Sequence, residues 1–422
     1  MRASNTIVGV DIGTSKVSVV IGQGQEEALN ILGVAEIESR GIRKGQIVDI
    51  VESASALNQA LDTAERMAGA SIDNAFVSIS GSHIESQNSK GVVAIASQDH
   101  EISAEDVDRV LEAAGAISLP STRTIIHVLP KTFTVDGEPG IKDPVGMSGV
   151  RLEVDTHIIT ANTTTVRNIQ RLLEQEAGVR INALVFSGFA SSLATLSETE
   201  KELGVVLADI GAGVTNVAVF IEGTLAYSRV IPIGARHITN DLAIGLRVSL
   251  ESAEKIKLHL GKKRHLPRTP DEKDELDLAG LGITEELKKV SNKTLTEGII
   301  RPRLNELFTM VALDLKKTKL ATQTPAGIVI TGGGALTVGA EEAAKRMLSM
   351  PVRIGYPHSI TGLIDDVESP SFSAVLGLLQ FGKNFTGVEE SSFLDGLIPS
   401  FSSKSLGGLG GALNNLLKKF KL

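Results

Sequence analysis

Ile7-Val8-Gly9-Val10-Asp11-Ile12-Gly13-Thr14-Ser15-Lys16-Val17-Ser18-Val19-Val20 reads as a strand, a tight turn and a second strand. The β-branched residues Ile7, Val8 and Val10 precede the turn and Val17, Val19 and Val20 follow it, the enrichment expected of strands flanking a hairpin. Gly13 lets the backbone approach closely, so several N–H groups converge beside the hydroxyls of Thr14 and Ser15. Lys16 adds a cation and Asp11 a carboxylate. Such a set suits the terminal phosphates of a nucleotide, and the acid suits the magnesium that accompanies them. Standing alone, the stretch reads more readily as an ordinary hairpin, because Asp and Gly are common turn residues.

An echo lies 198 residues on (209 − 11): Val205-Val206-Leu207-Ala208-Asp209-Ile210-Gly211-Ala212-Gly213-Val214-Thr215-Asn216-Val217-Ala218-Val219. Strand, Asp-Ile-Gly turn, hydroxyl and strand recur in order. That spacing predicts a duplicated fold whose two turns face each other, with a nucleotide clamped in the cleft between lobes. A third stretch, Ile328-Val329-Ile330-Thr331-Gly332-Gly333-Gly334-Ala335, reads as a buried strand, three glycines and then a helix around residues 340–350. Glycines at a strand end let a flat ligand lie against bare backbone, and a helix start offers N–H groups to phosphate oxygens.

The bulk numbers agree with such an enzyme-like or assembly fold. At 422 residues and 42% hydrophobic, the chain fills two domains or more. A net charge of −8, 3% aromatics and no Trp argue against nucleic acid as a main partner. The absence of Cys excludes disulfides, zinc–thiolate sites and a thiol nucleophile. Asp11 and Lys16 interrupt the N-terminal apolar run, so no leader is expected, and no 18-residue apolar stretch occurs. The eight histidines show no metal-ligand spacing.

Between the signals, Leu57, Leu61, Ala64 and Met67 predict one apolar stripe of a helix closed by Gly69. Residues 82–161 change texture and predict an inserted small α+β domain, with a helix opened by Ser103 and a capping partner at Asp106. Its turn-rich residues 137–146 read as a plain loop or as a protein contact surface. Helices are expected over 165–177, over 189–196 with small residues that permit close approach, and over 234–261 with Ile238, Leu242, Ile244, Ala253, Ile256 and Leu260 inward. The charged run 262–275 reads as solvated loop, and 291–320 as one long helix pinned or kinked by Pro302.

Three motifs in this order, Val10-Asp11-Ile12-Gly13-Thr14, Ala208-Asp209-Ile210-Gly211-Ala212-Gly213 and Ile330-Thr331-Gly332-Gly333-Gly334-Ala335, resemble the actin, Hsp70 and sugar-kinase superfamily of ATP-binding folds. Within it the chain is similar to the FtsA family of bacterial division proteins, which tie the tubulin-like FtsZ ring to the membrane. Further matching stretches are Ser39-Arg40-Gly41 with Lys44-Gly45, Pro144-Val145-Gly146-Met147-Ser148-Gly149-Val150-Arg151, Gly188-Phe189-Ala190-Ser191-Ser192 and Pro351-Val352-Arg353-Ile354-Gly355.

The resemblance implies an α/β, duplicated ribonuclease H-like, two-lobed actin-like fold. Residues 1–81 and 162–200 would form subdomain 1A, 82–161 the inserted subdomain 1C, 201–226 and 305–383 subdomain 2A with a closing helix, and 227–304 subdomain 2B. It also implies ATP and magnesium as cofactors. The family's phosphate turns map onto Asp11, Gly13, Thr14, Ser15 and Lys16 and onto Asp209, Gly211, Gly213 and Thr215. Its adenosine segment maps onto Gly332, Gly333 and Gly334. Glu254 and Lys257, three apart on one helical face, are similar to positions that touch base and ribose in bacterial actins. Asp11 and Asp209 would hold magnesium through water. Ser187 stands where such ATPases carry Gln, Glu or Asp near the γ-phosphate, and a serine is a poor general base, so slow or absent hydrolysis is expected. Asp209 remains the candidate for positioning magnesium-bound water.

Residues 384–405 are a Ser/Gly-rich linker, about 25–30 Å end to end. Within 406–422, Leu409, Leu413, Leu416, Leu417 and Phe420 share one helical face while Lys418, Lys419 and Lys421 lie on the rest, the pattern of an interfacial amphipathic helix; a partner's groove is the alternative. Apolar burial worth roughly 5–8 kcal/mol and about 1 per lysine is offset by roughly 1 kcal/mol or more per ordered residue, so one tail binds weakly and several on one filament anchor firmly. In the family the FtsZ C-terminal peptide docks on subdomain 2B, which singles out Arg303 with Lys293 nearby, and other division proteins are expected on 1C. Without the resemblance Arg303 is a helix surface residue. The function implied is a filament-forming membrane adaptor of the division ring, peripheral on the cytoplasmic face. A pilus or secretion assembly factor and a small-molecule kinase of the same superfamily are the rivals.

Overall fold

The computed structural model describes residues 6–25, 28–97, 99–262, 274–283, 285 and 289–385. The amphipathic segment 406–422 and most of the linker and charged run expected from the sequence lie outside them.

Two sheets are built on the two hairpins. In the first, strand Thr6–Ile12 is antiparallel to Lys16–Gly24 and parallel to Asn74–Ile79, which is parallel to Arg180–Phe186. In the second, Val205–Ile210 is antiparallel to Thr215–Ile221 and parallel to Ile328–Thr331, which is parallel to Val352–Ile354. Each hairpin carries a third antiparallel strand on its outer side, Leu29–Glu38 and Thr224–Ile231. Register is preserved along with order, because Asp11 pairs with Ser18 and Asp209 with Asn216. The turns close identically: Gly13 N–H donates to the Lys16 carbonyl at 3.0 Å and Gly211 N–H to the Val214 carbonyl at 2.9 Å. One local sequence grammar has produced one local geometry twice.

One buried core spans the first sheet and one face of the second, including Val205, Leu207, Ala218 and Val329; a second core fills the other face of the second sheet, and the stretch expected as an insertion has a third. Its sheet runs Glu85–Ala94, Arg151–Asn162, Arg123–Val135, Glu138–Ile141 in spatial order, covered by the helix Ala104–Gly115. The expected capping box is present: the Ser103 hydroxyl accepts from Asp106 N–H and the Asp106 carboxylate from Ser103 N–H.

Small residues set the closest approach. The helix Ser187–Thr195 lies against the final described helix, Ser373–Asn384, where a Cβ on Gly377 would fall 1.8 Å from the Ala190 carbonyl oxygen. Gly9 meets the same helix, since a Cβ there would lie 2.8 Å from the Val375 carbonyl. This helix is thereby sewn into the first lobe.

Four local expectations are corrected. Met67 is 50% exposed and Ile244 77% exposed. On the helix Ile50–Ala68 the apolar stripe continues from buried Ala64 to half-buried Ala68, which packs on Gly33, because a residue four on lies nearer the same face than Met67 does here. Ile244 sits two residues beyond buried Leu242, on the far side of its helix. The helix expected over 165–177 begins at Thr163, capped by Asn162, and widens into a π-turn over Arg171–Glu176. The long helix expected from 291 begins instead as the π-turn Thr294–Ile300, followed by Arg301–Thr318. Pro302 has no N–H for a bond to residue 298, and the preceding Arg301 N–H reaches back five residues to the Thr296 carbonyl.

Candidate functional site

The two hairpin turns meet. Gly213 lies against Thr14, so a Cβ at 213 would come within 2.6 Å of the Thr14 hydroxyl. That hydroxyl accepts from Gly45 N–H at 3.0 Å, while Ser15 stands exposed at the turn tip. Thr215 is fully buried and donates its hydroxyl to the Ile233 carbonyl at 2.8 Å, which fixes the second turn from beneath. Behind the turn begins the helix Ala235–Leu246, whose Ala235 and Arg236 N–H groups donate to the Gly211 and Ala212 carbonyls at 2.9 Å each.

Asp11 and Asp209 stand at matching positions of the two hairpins, near enough for the charge of Asp11 to act on Asp209. Asp11 accepts from the Ser78 hydroxyl at 2.5 Å. Burial raises its pKa above the ordinary carboxylate value, against the hydrogen bond from Ser78 and the charge of Lys16. Asp209 is 6% exposed and accepts from Ser191 and from the Asn216 amide, each at 3.1 Å. Burial first, then the Asp11 charge, push it up to about 6. Two neighbouring acids, each raised by burial and one raised further by the charge of the other, carry an electrostatic cost that the surrounding fold has to bear.

The glycine run divides its labour. Gly332 has φ +79°, and a Cβ there would fall 2.3 Å from an Asp209 carboxylate oxygen, so backbone conformation and space both demand glycine. Gly334 is equally crowded, 2.3 Å from Ile210 Cγ2 by the same measure. Gly333 is exposed and its hypothetical Cβ meets only Ser371, at 3.6 Å. Its backbone is the bare one of the three, open to solvent beside Ser371. Lys16 approaches the same serine: its ammonium binds Glu36 at 2.6 Å and the Ser371 hydroxyl at 3.2 Å, and lies 3.9 Å from the centre of the Phe372 ring.

Ser187 begins its helix with the hydroxyl donated to the Ile79 carbonyl at 3.3 Å, which leaves no carboxylate or amide at that junction. One turn on, Ser191 reaches Asp209. Glu254 and Lys257 lie on the helix Leu250–Lys262 and pair at 2.7 Å, with Thr239 donating to Glu254 at 2.6 Å and accepting from Lys257 at 2.9 Å. Gly261 on that helix packs against the Leu336 carbonyl, so the pair is carried beside the glycine segment. Arg303 lies elsewhere on the second lobe, in a two-pronged pair with Asp241 at 2.6 and 2.9 Å and a contact to Glu306. Lys293 is exposed.

Sequence reading did not find Ser78, Ser191 or Asn216, which position the two acids. Ser191 stood only within the family-matching stretch Gly188-Phe189-Ala190-Ser191-Ser192, and Asn216 stands seven residues after Asp209 as Ser18 stands after Asp11.

Since Asp209 titrates near 6 in the fold against an ordinary 3.8, the fold binds a proton between those values that the unfolded chain does not. Its contribution to stability therefore rises as pH falls through 6 and levels off below the ordinary value. Asp209→Asn is expected to remove this rise and to stabilise the nucleotide-free protein at pH 7.5 by about 1–3 kcal/mol. Denaturant midpoints at pH 7.5 and 5.5 check it, and equal pH slopes for parent and variant would refute the burdened carboxylate.

The family model described as "SHS2 domain inserted in FTSA" matches residues 81–160, and that described as "Cell division protein FtsA" matches residues 206–377. Cell division protein FtsA of Pseudomonas aeruginosa is 38% identical over 383 residues, 90% of each chain. That of Bacillus subtilis is 39% identical, over 90% of this chain and 84% of the relative. The Escherichia coli protein is 35% identical, over 89% and 90%. Among solved structures, the PilM-PilN type IV pilus biogenesis complex is similar with a TM-score of 0.63 at 16% identity, covering 91% of this chain and 99% of that one. MreB5 of Spiroplasma citri bound to ADP is similar with a TM-score of 0.51 at 14% identity, covering 89% and 95%. These structures speak for the fold alone, which is actin-like. With sequence identity of this size along nine-tenths of its length, the chain belongs to the FtsA family of cell division proteins.

Proposed function

We propose that this member of the family binds ATP with magnesium between the hairpin turns and, as a filament, holds the FtsZ ring to the cytoplasmic face of the membrane. The observation that carries the nucleotide reading is the neighbouring pair Asp11 and Asp209 beside an exposed Gly333. A structural neighbour holding ADP supports it. Asp11 and Asp209 would hold magnesium through its water, and the ion would supply charge neutralisation for the terminal phosphates. Backbone N–H groups at Ser15 and Gly213 would meet phosphate oxygens, Gly13 and Gly211, whose N–H groups close the two turns, would let the backbone approach the ligand, Thr14 and Thr215 would hold the turns in place, and Lys16 would be drawn from Glu36 toward the anion. Gly332, Gly333 and Gly334 would form the floor for adenosine, with Glu254 and Lys257 at its edge. Ser187 provides no general base, so the nucleotide serves as a conformational and assembly ligand with slow turnover or none.

Subdomain 1C would be 82–161, and 2B, taken as 227–304, would receive the acidic, apolar FtsZ tail beside Arg303 and Lys293. The tether would be 406–422, through Leu409, Leu413, Leu416, Leu417 and Phe420 in the lipid and Lys418, Lys419 and Lys421 at its anionic surface. No helix among the described residues is long and apolar enough to cross a membrane.

ATP with magnesium should raise the thermal midpoint of the parent, and Gly333→Val, whose side chain would stand in the cleft, should abolish the rise; protection that survives the valine would remove Gly333 from the site. A chain cut before residue 406 should stay in the supernatant with anionic liposomes that pellet the full chain, and equal pelleting would sink the tether. Because Asp241 already neutralises Arg303, Arg303→Ala should weaken binding of an FtsZ tail peptide about 2- to 5-fold and Asp241→Asn should strengthen it. Fluorescence anisotropy reads both, and two unchanged affinities would take Arg303 out of the contact.

A further inference from the structure

We propose that Ser80 is the coupling residue through which the nucleotide site sets the orientation of the inserted domain; the proposal rests on the nucleotide reading above. Ser80 comes just after the strand Asn74–Ile79 of the first lobe and precedes Glu85–Ala94, the first strand of the insert. Its hydroxyl donates to Asn216 Oδ1 at 2.5 Å, and the amide of the same Asn216 donates to Asp209. Its carbonyl lies against Gly45, where a Cβ would come within 2.6 Å, and Gly45 N–H donates to the Thr14 hydroxyl. Both turns, one from each lobe, thus bear on the single residue that leads into the insert.

The residues after Ser80 suit a hinge with a stiff arm. Gly81 has φ +137°, a backbone conformation that other residues rarely adopt, and a Cβ there would lie 2.6 Å from His83 Nδ1. Beyond it, Arg123 donates to the His83 carbonyl at 2.8 Å and to the Thr160 carbonyl and hydroxyl at 3.2 and 2.6 Å. This one guanidinium joins the segment entering the insert to the strand Arg151–Asn162 that leaves it, so rotation at Ser80 and Gly81 carries the domain as a body.

The insert has a second seat on the same hairpin system. His157, 1% exposed, bonds Asn88 Oδ1 through Nδ1 at 2.8 Å and Ser228 Oγ through Nε2 at 2.9 Å, and the Ser86 hydroxyl donates to the Ser228 carbonyl at 2.7 Å. An acceptor at Nδ1 assigns the proton there and leaves Nε2 to accept from Ser228. Ser228 pairs with Ala218, two residues along the strand from Asn216. A ligand that claims the Asp209 carboxylate redistributes the Asn216 hydrogen bonds, and the insert reads that change at Ser80 while being steadied at Ser228.

The chain has no cysteine, so spin labels can be placed on Gln59→Cys, exposed on the first-lobe helix, and Glu138→Cys, exposed on the insert. Distance distributions from electron paramagnetic resonance on the full chain, with and without ATP and magnesium, are compared with nucleotide affinity titrated in the same samples. The expected result is a nucleotide-dependent shift of several ångström in the parent, lost in Ser80→Ala although nucleotide still binds, and retained in Ser80→Thr, which keeps the hydroxyl. A parent that binds nucleotide without a shift overturns the proposal even if Ser80→Ala does not fold. An undiminished shift in Ser80→Ala overturns it as well. A parent that binds no nucleotide refutes the nucleotide reading itself, and the proposal falls with it.

Discussion

Where the two hairpins meet, Asp11 and Asp209 are held close enough for the charge of one to raise the pKa of the other, with Asp209 buried and Asp11 half-buried. Like charges do not gather in a dry cleft unless the surrounding fold compels them. Compulsion here comes from two sheets of identical register, whose turns are locked by matching hydrogen bonds and brought into contact at Thr14 and Gly213. The serines at 78 and 191 and the Asn216 amide soften the cost by donating to the acids, but no cation among the described residues neutralises Asp209. The fold therefore meets the electrostatic cost of the pair only in part.

Around this pair, atoms are excluded as deliberately as they are placed. A Cβ at 332 would strike the Asp209 carboxylate, one at 334 Ile210, and one at 213 the Thr14 hydroxyl. Gly377 and Gly9 repeat the principle at the closing helix, where backbone meets backbone without side chains between. That helix starts beside Ser371 and Phe372, which touch Lys16, and beside Pro370, whose carbonyl accepts from Gly332 N–H at 3.1 Å. The segment thus contacts both lobes at the cleft and then packs wholly into the first.

The insert obeys the same economy. It has its own core and capped helix, yet it joins the first lobe beside the cleft and rests on the second lobe at Ser228. A domain so placed between two lobes is subject to both.

Much was legible from the chain alone. β-Branched runs around Asp-Ile-Gly turns, repeated at 198 residues, determined two hairpins and their duplication, because strand propensity and turn chemistry act over a few residues. The capping box at Ser103 and the glycines at 332–334 were equally local, and the motifs together carried the family. Tertiary structure decided the rest. Ser78, Ser191 and Ser80 are ordinary serines in sequence, and only the packing of separate strands brings them to Asp11, Asp209 and Asn216. Helical periodicity located stripes but not their edges, so Met67 and Ile244 fell outside the core and Pro302 produced a π-turn where a single helix was expected. Which glycine lies open to solvent and which faces the protein was likewise invisible, since a missing side chain leaves no mark of direction in sequence. Short-range stereochemistry is written in neighbouring residues, whereas the pairing of two acids from separate hairpins exists only once the lobes have closed on each other.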